Sequence, residues 1–544
     1  MKKKILYSLM IAAASFSMTG CNSFLEEHPK DQMPDSEAYK DAQLLYLNTV
    51  ANLYTRVGAD YGGGGLQGCD RGLYDLNTFS ADEAVLPTRG GDWYDGGLWQ
   101  NIFKHNWGTN NDLTIGAWAY LYEVIGLSNQ SLDKLKELQE ADPENPNYGL
   151  YISEVRSFRA MYYYYLLDLF ARVPVLETAK VKMADVKQSE RKEVFEFVWK
   201  ELQEAAKDLA DAKSANNGEY YGRVTKGVAY FIMCKLALNA EVYTHNDWTD
   251  GNRPDGKTIM LSVDGEQMNC WKAVEHYADK IKDLGYYLKD GVKGFSENFA
   301  INNETSPENI FTIPMDPTLY KSRFMYCVRT RHYEHGLAIN NQGGWNGACA
   351  TKEALKAFSY GNNSQDPRFA ATYFGDEQIL GSNGEVVMNG KEELRYKPNS
   401  VGVDVSGTPD EKTAGARMKK YEFDPTATFD GQACHNDIVL FRYADVLLMK
   451  AEAMVRNGEN GQAPFDEVRN RVEAAKMECN LQNILDERLR ELAWEGHRRQ
   501  DLVRFGQYTK AINDRPETGA FTTVFPIHQN TLALNPNLTQ NHKY

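Results

Sequence analysis

The amino-acid sequence predicts a mostly α-helical chain whose helices are interrupted by long irregular loops, with little β structure. Three observations carry this reading. Apolar residues recur three and four apart in one segment after another, the period of a helix with a single buried stripe. Two long stretches, 58–105 and 295–436, lose that period and are crowded with Gly, Asn, Pro and Asp. Strand-like pieces are short, Ile310–Ile313 being an example.

The N-terminus is read first. Lys2, Lys3 and Lys4 precede an apolar run, Ile5 to Phe16, too short to stay in a bilayer as a helix. Ser17-Met18-Thr19-Gly20-Cys21 follows, with small residues before the cysteine as a lipoprotein signal peptidase requires, and Met18 where Leu is commoner. This predicts a signal peptide over 1–20 and acylation of Cys21, which would anchor the chain to a membrane. Residues 21–36, polar and carrying Pro29 and Pro34, read as a flexible tether, and 37–544 as one helical domain with loop insertions. Later segments fall short of the run of about 18 apolar residues that a membrane helix needs.

Asp41–Val57 places Leu44, Leu47, Val50 and Tyr54 on one face. Asn111–Leu138 is similar and ends before Asp142-Pro143-Glu144-Asn145-Pro146. Tyr151–Ala171 aligns Ile152, Val155, Phe158, Tyr162, Leu166 and Leu169, and Val173-Pro174 stops it. Helical patterns return at Ser189–Lys213, Val224–Tyr243 and Trp271–Leu284, then at Val439–Arg456, Phe465–Lys476 and Leu481–Gly506, before a polar tail from Pro526. Helix pairs on short connectors suggest repeat packing, although no clean period of 34 residues stands out.

Composition excludes some partners. A net charge of −15 without a long basic run argues against nucleic acid. Rings are abundant, with 32 Tyr, 23 Phe and 9 Trp in a chain of mean hydropathy −0.55, and rings with polar edges suit wet, saccharide-like or peptide-like ligands. Apart from Cys21, seven cysteines remain without C-x-x-C spacing, which favours buried small hydrophobes over a disulfide scaffold or a zinc site.

The first loop holds the main candidates for ligand contact. Asp82, Glu83 and Arg89 lead into Asp92, Trp93, Tyr94 and Trp99, set among glycines. An indole covers the flat C–H face of a sugar while Arg, Asp and Asn address its hydroxyls, and glycine lets backbone come close. The second loop offers Trp345 and Asn346, flanked by Gly343, Gly344 and Gly347. Trp107 and Trp118 enter helical patterns and read as core. Gly62–Gly65 lacks the Lys-Ser/Thr of a phosphate cradle, and His332 with His335 lacks the frame of a metal pair. Glu487, Glu491 and Glu495, four apart among Arg488, Arg490, Arg498 and Arg499, read as structural ion pairs rather than hydrolytic carboxylates.

Several segments resemble the RagB/SusD family. Leu440-Phe441-Arg442-Tyr443-Ala444-Asp445-Val446-Leu447-Leu448-Met449 with Ala451-Glu452-Ala453 is similar to one characteristic helix of that family. Glu487 to Gly506, the tail Phe525-Pro526-Ile527 with Asn535-Pro536-Asn537, the helix from Arg159 closing on Val173-Pro174, and Asp366-Pro367-Arg368 are similar to others. The resemblance implies a body of tetratricopeptide-like helix pairs with loops supplying the ligand site. It also implies a non-enzymatic surface lipoprotein that binds oligosaccharides, or in some members peptides, and serves a SusC-like TonB-dependent outer-membrane transporter. Glu26-Glu27 is similar to the acidic signal that sends such lipoproteins to the outer leaflet. Calcium is carried by some members, and no residue here locates it. The expectation is capture by Trp93, Tyr94 and Trp345, with Asp92, Arg89 and Asn346 reading hydroxyls and Trp99 a further contact. A peptide or other nutrient binder, and less so a surface glycosidase, are the alternatives.

Overall fold

A computed structural model describes residues 35–59, 64–320 and 322–544. The expected signal peptide, Cys21 and nearly all of the tether lie outside the described residues, as do Gly62 and Gly63 of the glycine run. The described residues fall into two units, one ending at Asn48 and one beginning at Thr49. The first carries short helices at Asp35–Ala38 and Ala42–Tyr46, the latter capped by the Asp41 side chain, which accepts from the Leu44 N–H. The single helix expected over Asp41–Val57 is thus interrupted, by a π-helical turn at Leu47–Ala51 before a last turn at Asn52–Tyr54.

The second unit is built from helix pairs. Helix α1 (Asp112–Ala141) starts where the Asn111 side chain accepts from the Leu113 N–H, and it packs on α2 (Asn147–Phe170). Helix α2 packs in turn on α3 (Arg191–Ala205). Helix α4 (Lys226–Leu238) packs on α5 (Cys270–Asp283), and α5 on α6 (Tyr443–Asn457). Helix α6 then holds α7 (Gln462–Asn470) and α8 (Leu481–Leu492). The mostly helical fold expected from the periodicity is the fold observed. Among the described residues no helix is long and apolar enough to cross a membrane.

Helix α2 is buried nearly all round, which explains its four consecutive tyrosines. Tyr162, Tyr163 and Tyr164 are buried, and each hydroxyl finds a partner: Tyr120, the Leu176 backbone and Gln500. A buried phenol without such a partner would cost about 1–3 kcal/mol. Trp107 and Trp118 are core rings, as expected. The tail from Pro526 is pinned rather than loose. Asn541, buried, donates to the Phe170 and Phe525 carbonyls, and the Tyr544 hydroxyl bridges Trp107 to Val524.

Two helical expectations are corrected. Val439–Arg442 is strand, not helix: Ile438–Arg442 pairs antiparallel with Asn309–Ile313 and α6 begins at Tyr443. All five residues of each strand are buried, so the apolar run Ile438–Phe441 belongs to a covered sheet. The segment Leu481–Gly506 is broken after Leu492 and resumes as α9 (Arg498–Arg504). At the break Trp494 and Gly496 take left-handed φ of 68° and 74°. That turn sends Glu495 inward, where it binds Lys420 and Arg442.

Those contacts belong to a buried ionic cluster. Glu491 meets Arg442, Arg471 and Arg368, all four essentially without exposure. Glu487 meets Arg368, Arg469 and Arg490, and Glu308 meets Arg442 and Arg471. Burial alone would raise the Glu491 carboxyl, but Arg471, Arg442 and Arg368 hold it well below the usual carboxylate range. The glutamates spaced four apart are therefore structural. Six of the seven described cysteines are buried free thiols, and Cys479 is partly exposed.

Candidate functional site

Two strands of two residues each assemble the site. β1 (Ala84–Val85) pairs antiparallel with β2 (Cys349–Ala350), Ala84 opposite Ala350 and Val85 opposite Cys349, and so joins the two long loops. Arg89 fastens the joint. Its guanidinium donates to the carbonyls of Gly347, Glu411 and Ala414 and reaches the Cys349 Sγ. Burial, with Arg417 nearby, pulls Arg89 down to about 9, since no carboxylate offsets its charge there. Beyond Arg89 the chain reverses at once: Arg89 and Asp92 exchange both backbone hydrogen bonds across Gly90, whose φ of 67° the tight turn needs.

Trp93 follows in a left-handed conformation, φ 61°, which costs a bulky residue about 1–2 kcal/mol. What holds it there is the second loop. Its Nε1–H donates to the Trp345 carbonyl at 3.0 Å, and its ring lies against Gly347. A Cβ on Gly347 would stand 2.8 Å from Trp93 Cε2 and 3.0 Å from the Arg329 carbonyl, so only glycine allows this approach. Beneath Trp93 lies Trp99, edge to face at 6.4 Å. Trp99 Nε1–H is held by the Asp95 carboxylate at 2.8 Å, which Arg71 also binds. Below that, the buried pair Arg329–Asp75 is bidentate at 2.6 and 2.8 Å, with Arg329 over Trp99 and Phe79. A rigid floor supports a partly exposed indole.

Acceptors surround the rings. Asp92 is exposed, takes the Tyr333 hydroxyl at 2.7 Å and lies 3.7 Å from Lys412 Nζ. Partial burial and the Asp92 charge push Tyr333 up to about 12, so its hydroxyl keeps its proton and donates. Tyr94 stands 54 % exposed beside Trp93. Trp345, half-buried, donates its Nε1–H to Asp430 at 2.5 Å.

The structure therefore leaves Trp93, Tyr94, Asp92 and Trp345 at least partly exposed on the joined loops, and it buries others. Arg89 is fully buried and spends its donors on carbonyls, so it positions the loops and cannot read hydroxyls. Asn346 has no exposure and takes a φ of 50° with its N–H on the Arg331 carbonyl. Trp99 is 1 % exposed and is floor. Asp82 is bound to Arg498, and Glu83 lies buried with the Trp494 N–H on its carboxylate. His335 is buried against Tyr396, and among the described residues no group of three or more His, Cys, Asp or Glu is arranged to hold a metal ion. Asp430 and Tyr333, which bond Trp345 and Asp92, were not singled out from sequence. An aromatic next to Asp-Gly in a turn, as in Phe429-Asp430-Gly431, was the available signal.

Two tests arise here. Gly347→Ala is expected to displace the Trp93 ring, destabilise the fold by about 1–3 kcal/mol and weaken ligand binding, read by thermal melting and tryptophan fluorescence. An unchanged spectrum would refute the close approach. The second concerns Glu83, which burial pushes up to about 8 against the Trp494 N–H and Arg498. Its folded form keeps a proton that the unfolded chain releases near 4.5, so stability falls as pH rises between these values. Wild type should lose about 1.4 kcal/mol per pH unit more than Glu83→Gln across that window in urea titrations. Parallel profiles would count against it.

Comparison with known proteins follows the same lines. A model described as "SusD family" matches residues 307–544, and one described as "Starch-binding associating with outer membrane" matches 24–238. The starch-binding protein SusD of Bacteroides thetaiotaomicron is 24% identical, over 100% of this chain and 99% of that protein. SusD-like protein P38 of Formosa agariphila is 22% identical over the same shares. Among solved structures, a laminarin-binding SusD-like protein superposes with a TM-score of 0.69 at 21% identity, covering 93% of this chain and 100% of its own. Surface glycan-binding protein A from Bacteroides thetaiotaomicron, in complex with laminarihexaose, gives 0.68 at 18%, covering 92% and 99%. With the two matched models together covering residues 24–238 and 307–544, most of its length, this chain belongs to the SusD family.

Proposed function

We propose that this protein is a cell-surface glycan-binding lipoprotein, which captures oligosaccharides and passes them, chemically unchanged, to a TonB-dependent outer-membrane transporter. One observation carries the reading: Trp93, packed on Trp99, is hydrogen-bonded to the Trp345 carbonyl across the two loops, with Tyr94 exposed next to it in the chain and the Asp92 and Asp430 carboxylates held by Tyr333 and Trp345. Stacking on the rings would hold the C–H face of a sugar, and the carboxylates would accept from its hydroxyls. The starch, laminarin and laminarihexaose named for relatives support the ligand class. Acylation at Cys21 supplies the anchor in this reading, and the outer-membrane association printed for the matched family supports the location. The carboxylates nearest the rings are tied to Tyr333, Trp99 and Trp345, which suits holding a ligand rather than transferring protons to it.

Calorimetry and affinity electrophoresis against a polysaccharide panel test this, with Trp93→Ala and Trp345→Ala beside wild type. If a glycan binds and neither change weakens it, the site is wrong. Release of reducing sugar from a bound polysaccharide would restore the glycosidase alternative.

A second reading has its own observation. A concavity of about 930 Å³ is lined by Ile339, Phe374, Leu380 and Phe423, with Lys419 and Glu422 at its edge. Apolar walls with a few charges suit a peptide side chain better than a sugar. Peptide binding that survives Trp93→Ala and fails on Phe374→Ala would favour it.

A further inference from the structure

The 428–433 turn has no part in the site expected from sequence, yet it has the features of one. Thr428 and Ala433 exchange backbone hydrogen bonds at 2.9 and 3.1 Å, forming a short hairpin. At its tip Phe429 and Asp430 take left-handed φ of 51° and 59°. Two consecutive residues other than glycine in that region store strain, which folds retain where it serves a use. Trp93 and Asn346 of the two site loops share that φ range, as do residues elsewhere such as Ala171 and Trp494.

Phe429 is 59 % exposed. One of its faces is occupied, since the Arg323 guanidinium lies 4.6 Å from the ring centroid. An arginine on one side braces the ring and leaves the other to water. The tip is also tied to the site, because Asp430 accepts the Trp345 Nε1–H at 2.5 Å. Phe429, one residue along, is therefore carried on a turn that is hydrogen-bonded to Trp345, whose carbonyl in turn holds Trp93.

We propose that Phe429 is a further stacking subsite, used by sugar units beyond those on Trp93 and Trp345, and that Arg323 is its positioning residue. This rests on the glycan reading. Phenylalanine has no polar edge, so the subsite would sense a C–H face and not a hydroxyl pattern. It would reward chain length without narrowing linkage choice. Once the inner units are held, the outer unit binds at high effective concentration.

The test is calorimetry on the full chain with glucans of two linkages, maltose against maltoheptaose and laminaribiose against laminarihexaose. Phe429→Ala should weaken the longer sugar of whichever series binds about five- to tenfold and change the disaccharide less than twofold. Phe429→Leu, apolar but without a ring, should match it, and Arg323→Met should give a smaller loss in the same direction. Equal losses on short and long sugars, or no loss on either, would overturn the subsite. Trp93→Ala separates the two ideas: if it abolishes binding while Phe429→Ala leaves the long sugar untouched, only the subsite fails. If Trp93→Ala leaves binding intact, the underlying site fails and this proposal with it.

Discussion

Glu491→Ala is expected to be the most damaging single change outside the ligand site, costing about 3–5 kcal/mol and driving much of the chain to unfolded or aggregated material. The reason is what remains. Arg442, Arg471 and Arg368 converge on this one carboxylate with essentially no exposure, and without it three buried guanidinium groups lose the anion they share and keep only their outer partners Glu308, Glu495, Glu487 and Asp366. A domain with about 5–15 kcal/mol of stability cannot absorb that easily. The contrast is the exposed pair Lys510–Glu517 at 3.1 Å, where Glu517→Ala should cost less than about 1 kcal/mol. Urea unfolding of the two variants checks both. Comparable losses would mean that the cluster is not what holds the C-terminal helices. Acid should act on the same groups. Glu491, Asp445 and Asp501 are held well below their ordinary values by neighbouring arginines and Lys235. Depressed carboxyls contribute stability above the unfolded value near 4 and lose it as pH falls toward the folded one, so unfolding should begin below about pH 4.

Trp93→Ala is expected to lower glycan affinity by about thirtyfold or more, the loss of 2 kcal/mol or above that a central aromatic anchor carries. Two effects combine. The stacking face is lost, and Trp345 loses the donor on its carbonyl, so the second ring is no longer fixed relative to the first. Trp93→Phe isolates them: it keeps a face over Gly347 and Trp99 but not the Nε1–H, and should cost only a few-fold. If Trp93→Phe is as weak as Trp93→Ala, the hydrogen bond matters more than the stacking.

Much of the body was legible because helical period is a local property. Tyr151–Ala171 was expected from its apolar stripe and Asn147–Phe170 is observed, since Val173-Pro174 marks the stop. Strand Ile438–Arg442 was misread because a fully buried strand shows no alternation, and its partner Asn309–Ile313 lies far off in sequence. The break after Leu492 was hidden by the good helix formers around it. Only the pull of Lys420 and Arg442 on Glu495 explains the turn, and neither lies nearby in sequence. In the site, rings among glycines pointed to Trp93 and Trp345. Burial could not be read: Arg89 and Asn346 look like loop polar groups until the β1–β2 pairing covers them. Phe429 was passed over because a lone phenylalanine lacks the amide and glycine setting that marked Trp345.

That pairing also bears on folding. Trp93 and Trp345 are 252 positions apart, and Arg89 and Gly347 258. Contacts at such separation pay their loop-closure entropy before they return anything, so they form after the local helix pairs. Four short-strand residues and one arginine cannot hold such a closure without the helices already packed beneath. Capture competence should then arrive last, as a late kinetic phase in refolding, with the indoles unable to grip sugar while the body is incomplete.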